Sequence, residues 1–139
     1  MKCSQHTNEI SATLKDNGLK VTPGRLGLLD IFKHNKKPLA VKEIAKLYKS
    51  IGKIDLVTLY RNVESLAEMG IIKKLRISDK EIHYEIPHSH HHHLVCTSCG
   101  KIADLENCEV RLPKTKIPGF SKIKEHSLEF FGLCNTCDK

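Results

Sequence analysis

Up to Gly70 the apolar side chains recur three and four residues apart, and beyond it they alternate, so the chain reads as helices followed by strands. Ile10 and Leu14 share one face of a short helix from Thr7 to Asn17, stopped by Gly18 as a glycine C-cap. Thr22-Pro23 supplies an N-cap and a first-turn proline for a second helix, with Leu28, Ile31 and Phe32 on one face, ending near His34. After a turn over Asn35 to Pro38, a third helix runs from Leu39 to about Ser50 on Val41, Ile44, Ala45 and Tyr48. The fourth runs from an N-cap at Asp55 to Gly70, with Leu59, Val63 and Leu66 as its buried stripe. Its opposite face holds Thr58, Arg61, Asn62 and Ser65 and no carboxylate.

The alternation begins with a hairpin: Ile71 to Ile77, a Ser78-Asp79-Lys80 turn, then Ile82, Tyr84 and Ile86 interleaved with Glu81, His83 and Glu85. Helices followed by a two-stranded ribbon make a winged helix, whose fourth helix would enter the major groove by its early turns. Lys73, Lys74, Arg76 and Lys80 would bring the wing's charge to the phosphates. Further on, Leu94-Val95, Lys101 to Leu105 and Ser121 to Cys134 read as strands, while Pro113 and Pro118 keep any helix between them short. The fold class is therefore α+β. An amino-terminal winged helix-turn-helix over 1–87 precedes a small α/β domain over 88–139 with a compact antiparallel sheet.

Charge sharpens this division. Residues 1–87 carry 16 Lys/Arg against 10 Asp/Glu, and residues 88–139 carry 7 against 6, so the +7 of the whole chain lies mainly in the half expected to bind DNA. No run approaches the roughly 18 to 20 apolar residues of a membrane span, and the first ten residues do not resemble a secretion signal. We expect a cytoplasmic protein with no membrane partner. In that compartment six cysteines favour metal over disulfides.

Two C-x2-C knuckles, Cys96/Cys99 and Cys134/Cys137, each offer two thiolates to one tetrahedral ion, the pattern of a structural zinc site. Cys3 and Cys108 have no such partner and read as free thiols. Before the first knuckle runs His88-Ser89-His90-His91-His92-His93, and in a strand His91 and His93 would face one way, His90 and His92 the other. Each pair needs further ligands. Glu85 and Asp104 are candidates for the first pair, Glu109 and His126 for the second.

Four ordered segments carry a resemblance along nearly the whole chain: residues 18–25 (GLKVTPGR), Thr58-Leu59-Tyr60-Arg61 in a helix ending Glu68-Met69-Gly70, residues 90–100 (HHHHLVCTSCG), and His126 to Cys134 (HSLEFFGLC). In these the chain resembles the ferric uptake regulator family. The resemblance implies a homodimeric, metal-dependent repressor that binds an AT-rich palindromic operator in double-stranded DNA through its winged helix. It implies DNA contacts from Lys20, Arg25, Thr58, Tyr60 and Arg61, and structural Zn2+ on Cys96, Cys99, Cys134 and Cys137. A regulatory site of Glu85, His91, His93 and Asp104 would lie at the interdomain hinge, with His90, His92, Glu109 and His126 as a further site. A histidine ligand often found just before the segment equivalent to Pro38-Leu39-Ala40 is replaced here by Lys37, leaving His34, His83 or His88 to supply an imidazole. That loss disfavours the peroxide-sensing branch.

Mixed His/carboxylate ligation suits Fe2+ or Zn2+, and also Mn2+ or Ni2+. A zinc enzyme is disfavoured because no H-E-x-x-H, and no H-x-E feeding a C-x2-C, is present. A metal-storage protein would leave the basic wing and the Thr58 to Arg61 face without a purpose.

Overall fold

The structure, a computed structural model, describes residues 2–77, 81–114 and 116–139, with side chains from Thr7 onward. The chain divides into two compact units, Met1–Pro87 and His88–Lys139.

The first unit runs α1 (Lys2–Asp16), α2 (Pro23–His34), β1 (Leu39–Ala40), α3 (Val41–Tyr48), α4 (Leu56–Glu68), β2 (Lys73–Leu75) and β3 (His83–Glu85). Its core joins one stripe from each helix to the sheet: Leu14, Leu28, Phe32, Ile44, Leu59, Val63, Leu66 and Tyr84 are all essentially inaccessible to solvent. At roughly 1.5–3 kcal/mol for each fully buried large apolar side chain, this cluster is the main source of the unit's stability. The helices cross closely where Gly27 faces Tyr48, for a Cβ there would stand 2.9 Å from the ring. Gly70, at φ +72°, turns the chain out of α4 in the left-handed conformation that a C′ residue needs.

Two expectations are adjusted. The first helix begins at Lys2 rather than Thr7. Leu39 and Ala40 are extended rather than helical and pair antiparallel with β3, Leu39 opposite Tyr84, so the sheet has three strands in the order β1-β3-β2. The Glu43 carboxylate accepts the Ala40 N–H at 2.9 Å, satisfying a donor at the start of α3 and fixing its beginning at Val41. The hairpin is present as β2 and β3, and its expected turn at Ser78-Asp79-Lys80 lies outside the described residues.

The second unit is a sheet of β4 (His92–Cys96), β5 (Ile102–Leu105) and β6 (Glu129–Gly132), in the order β5-β4-β6. β5 pairs antiparallel with β4, but β6 pairs parallel with it, so the sheet is mixed. The strand expected over Ser121 to Cys134 contracts to four residues, and no described residue between Glu106 and Leu128 belongs to a helix or strand. Among its described apolar residues only Val95 and Cys96 are buried, whereas Leu94, Phe120, Phe130 and Phe131 are 40%, 77%, 44% and 60% exposed. A unit of this size with so small a core needs other sources of stability. Among the described residues no helix is long and apolar enough to cross a membrane.

Candidate metal centres and nucleic-acid interface

The fourth helix is anchored at its start. The Thr58 N–H donates to Asp55 Oδ1 at 2.9 Å, and the Thr58 side chain foremost, then this bond, holds the Asp55 carboxyl below its ordinary range. Leu56, Val57 and Tyr60 are 63%, 61% and 45% exposed, and Thr58 and Arg61 are exposed beside them. This first turn and a half is therefore an open face of two aliphatics, a phenol, a hydroxyl and a guanidinium, with Asn62 and Ser65 half-buried behind it. Lys20, Arg25 and Thr58 line one open depression between the α2 and α4 amino termini, together with Lys53 and Asn62. Arg25 Nη1 donates to the Lys20 carbonyl at 3.0 Å, while its Nε is buried without a partner among the described residues. Lys53, Leu56 and Val57 were not singled out from sequence. A basic residue two positions before a helix N-cap is the signal that could have marked Lys53.

β3 is tied to the same helix. The Tyr84 hydroxyl donates to Glu64 in a short hydrogen bond, and Lys74 Nζ from β2 lies 3.0 Å from the same carboxylate. These bonds, the Tyr84 one foremost, hold the Glu64 carboxyl below its usual range, while burial and the Glu64 carboxylate raise the phenol.

In the second unit the cysteines converge as their spacing predicts. The sulfurs of Cys96, Cys99, Cys134 and Cys137 all lie within 4.8 Å of one another, with Cys99 Sγ to Cys134 Sγ at 3.7 Å. Cys96 ends β4, the tight turn after it returns Cys99, and the parallel pairing of β6 brings the second knuckle alongside. The Cys134 N–H donates to Cys96 Sγ at 3.4 Å. Backbone N–H groups of Cys99 and then Cys134 lower the Cys96 thiol to about 6, and the Cys137 N–H chiefly lowers Cys134. At Cys137 the Ser98 hydroxyl pulls downward but the neighbouring sulfurs prevail, pushing it up to about 11. Four sulfurs at this separation, with the Cys96 and Cys134 thiols both lowered, fit a tetrahedral structural zinc.

The histidines divide between two faces as the alternation predicts. On one, His91 Nε2 and His93 Nε2 are 3.1 Å apart, and His93 Nε2 is 3.7 Å from Asp104 Oδ1. Asp104 reaches this place because it stands opposite His93 in the β4–β5 pairing. His88 joins them, stacked on His91 with ring centroids 3.9 Å apart and with its Nε2 3.8 Å from Asp104 Oδ2. Glu85 lies in the first unit, on β3, as a buried carboxylate two residues before the boundary. Lys37 is exposed, and His34 bonds the Asp30 carbonyl at 2.8 Å through Nδ1.

On the other face His92 Nε2 lies 3.3 Å from His126 Nε2, and His90 packs against both rings. Burial, then the charges of His90 and His126, lowers the His92 imidazole below its ordinary value, favouring the neutral form a metal requires. The fourth member is Cys108, not Glu109: the thiol expected to be unpartnered is in the cluster, while Glu109 is exposed and outside it. Cys108 is half-buried and turned into the cluster, whereas its neighbour Glu109 is exposed.

A winged helix beside cysteine and histidine metal centres defines a metal-dependent DNA-binding regulator. The family model described as the ferric uptake regulator family matches residues 16–131. The ferric uptake regulation protein of Neisseria gonorrhoeae is 33% identical over 132 residues, 91% of each chain. That of Staphylococcus epidermidis is 36% identical over 137 residues, covering 96% of this chain and 98% of the relative. The crystal structure of the Vibrio cholerae ferric uptake regulator superposes with a TM-score of 0.71 at 26% identity, covering 89% of this chain and 98% of that one. The chain belongs to the ferric uptake regulator family, and it is a transcriptional regulator rather than an enzyme.

Proposed function

We propose that this protein is a cytoplasmic homodimeric repressor that binds an AT-rich palindromic operator when a divalent metal occupies Glu85, His91, His93 and Asp104, with His88 in place of the imidazole lost at Lys37. The observation that carries the reading is the convergence of His88, His91, His93 and Asp104 at the amino-terminal edge of the second unit, directly after the boundary at Pro87. Three imidazoles and two carboxylates suit Fe2+ or Zn2+, with Mn2+ or Ni2+ also compatible.

Residues 1–87 form the DNA-binding domain and residues 88–139 the dimerisation domain. Lys20, Arg25, Thr58, Tyr60 and Arg61 contact DNA, the first two at phosphates and Arg61 at a base edge. Exposed Leu56 and Val57 favour thymine, whose methyl group is the apolar feature of the major groove, and this supports an AT-rich operator. Cys96, Cys99, Cys134 and Cys137 hold the structural zinc. The exposed sheet residues Leu94, Phe130 and Phe131 support pairing of two copies through the second unit, which alone buries too little apolar surface.

Glu85 ends a strand tied by Tyr84 to the recognition helix, while His93 and Asp104 belong to the dimerising sheet and His91 directly precedes its first strand. When bound, the ion supplies a tie between these ligands. An ion held by both sets of ligands would set the separation of two recognition helices, and half-sites about one helical turn apart would be met only at that separation. Glu85→Ala and His91→Ala test the reading: metal-dependent operator binding should be lost while zinc content stays unchanged. Unchanged metal dependence in both variants contradicts it.

A further inference from the structure

Cys108 sits between two imidazoles, its Sγ 3.1 Å from His92 Nε2 and 3.3 Å from His126 Nε2, and those two nitrogens are themselves 3.3 Å apart. His90 completes the group, its ring 4.8 Å from that of His92 and 4.6 Å from that of His126. Counting one ligand atom from each, all four lie within 4.8 Å of one another. Bonds of about 2.0–2.1 Å to nitrogen and 2.3 Å to sulfur place tetrahedral ligands roughly 3.3–3.8 Å apart, so these side chains need only small shifts to enclose an ion.

We infer that Cys108, with His90, His92 and His126, forms a His3Cys site in which the thiolate makes the centre selective for zinc-like borderline-soft ions over Mn2+ and Fe2+. The site is distinct from the four-cysteine cluster, with which it shares no residue, and it faces the side of β4 opposite to His91 and His93. Its chemistry differs from that of a carboxylate-completed centre because, among the described residues, no carboxylate belongs to the cluster: three imidazoles and one sulfur are ligands that zinc, cobalt(II) or copper accepts readily. Its architecture is of sheet origin. His92 is held by β4, His90 precedes that strand, and His126 precedes β6, which runs parallel to β4. Cys108 follows β5, so one ion would fasten both long connections of a unit that has only a small apolar core. The inference does not depend on the Glu85 hinge, because none of its ligands is shared with that site.

Cobalt(II) is the probe. Full-length protein with zinc retained in the cysteine cluster, verified at one zinc per protomer before and after, is titrated anaerobically with Co2+ and followed by absorption. The expected spectrum has intense tetrahedral visible bands and a near-ultraviolet sulfur-to-cobalt charge-transfer band. Cys108→Ser should remove the charge-transfer band and lower the zinc affinity of this site at least tenfold, with zinc in the cysteine cluster and far-ultraviolet dichroism unchanged. Cys108→Asp should bind without the charge-transfer band and with a preference moved toward Mn2+. His126→Ala, which keeps the thiolate, should lower Co2+ affinity at this site at least tenfold and serves as the second variant should Cys108→Ser not fold. A wild-type Co2+ spectrum lacking the charge-transfer band while zinc stays in the cysteine cluster, a charge-transfer band that survives in Cys108→Ser, or an unchanged Co2+ affinity in His126→Ala overturns the inference.

Discussion

The Tyr84 hydroxyl donates to the Glu64 carboxylate, joining β3, the strand that carries Glu85, to α4, the helix that carries Arg61. Tyr84→Phe should therefore destabilise the first unit by about 1.5–3 kcal/mol, the range for a hydrogen bond to a charged group. Because the folded-state value of Glu64 is depressed, its contribution is present above the ordinary glutamate range near 4.3 and is lost as pH falls through the lower folded value. Urea melts across the acid limb should show a shallower loss of stability in Tyr84→Phe than in the parent.

The cysteine cluster should be a folding requirement for the second unit. Apart from the ligand Cys96, Val95 is the one buried apolar side chain among the described residues of this unit and contributes on the order of 1.5–3 kcal/mol, against the roughly 10–16 kcal/mol of apparent zinc binding typical of structural sites. Cys99→Ser or strong chelation should eliminate amide protection across β4, β5 and β6 while leaving that of α2 and α4. Hydrogen exchange reads both units in one experiment.

The exposed sheet residues give a separate prediction. Phe131 is 60% exposed in the single chain, and Phe131→Glu should place a charge in the pairing surface, shifting the sedimentation-derived mass toward one protomer at micromolar concentration. A mass unchanged from the parent removes this surface from the dimer account.

On the DNA side, Arg61→Ala should weaken operator binding by about 1–3 kcal/mol and relax selectivity at one base position. Lys20→Ala should weaken binding evenly across sequences and reduce the salt slope by about one. Fluorescence anisotropy at several salt concentrations distinguishes the two effects.

Much of this architecture is written in local pattern. Asp55, Gly70 and the Leu59-Val63-Leu66 stripe define α4 on their own, because a cap, a left-handed stop and a buried face are all local. The two C-x2-C knuckles likewise declare their convergence through ligand number. What spacing could not supply is register over long connections. The choice between Cys108 and Glu109 turns on a single residue's direction in a segment without regular hydrogen bonds, and the parallel pairing of β6 joins residues far apart in the chain, such as His93 with Glu129. β1 was hidden because two extended residues directly before a helix leave no periodicity of their own.

The most direct measurement is operator binding by protein that keeps its structural zinc but has been stripped of other metal, titrated anaerobically with Fe2+, Zn2+, Mn2+ and Ni2+ in turn. At least one ion should raise operator affinity roughly 5- to 150-fold, the span of ordinary coupling free energies, and the gain should vanish in Glu85→Ala. Equal affinity with and without every ion would contradict the account.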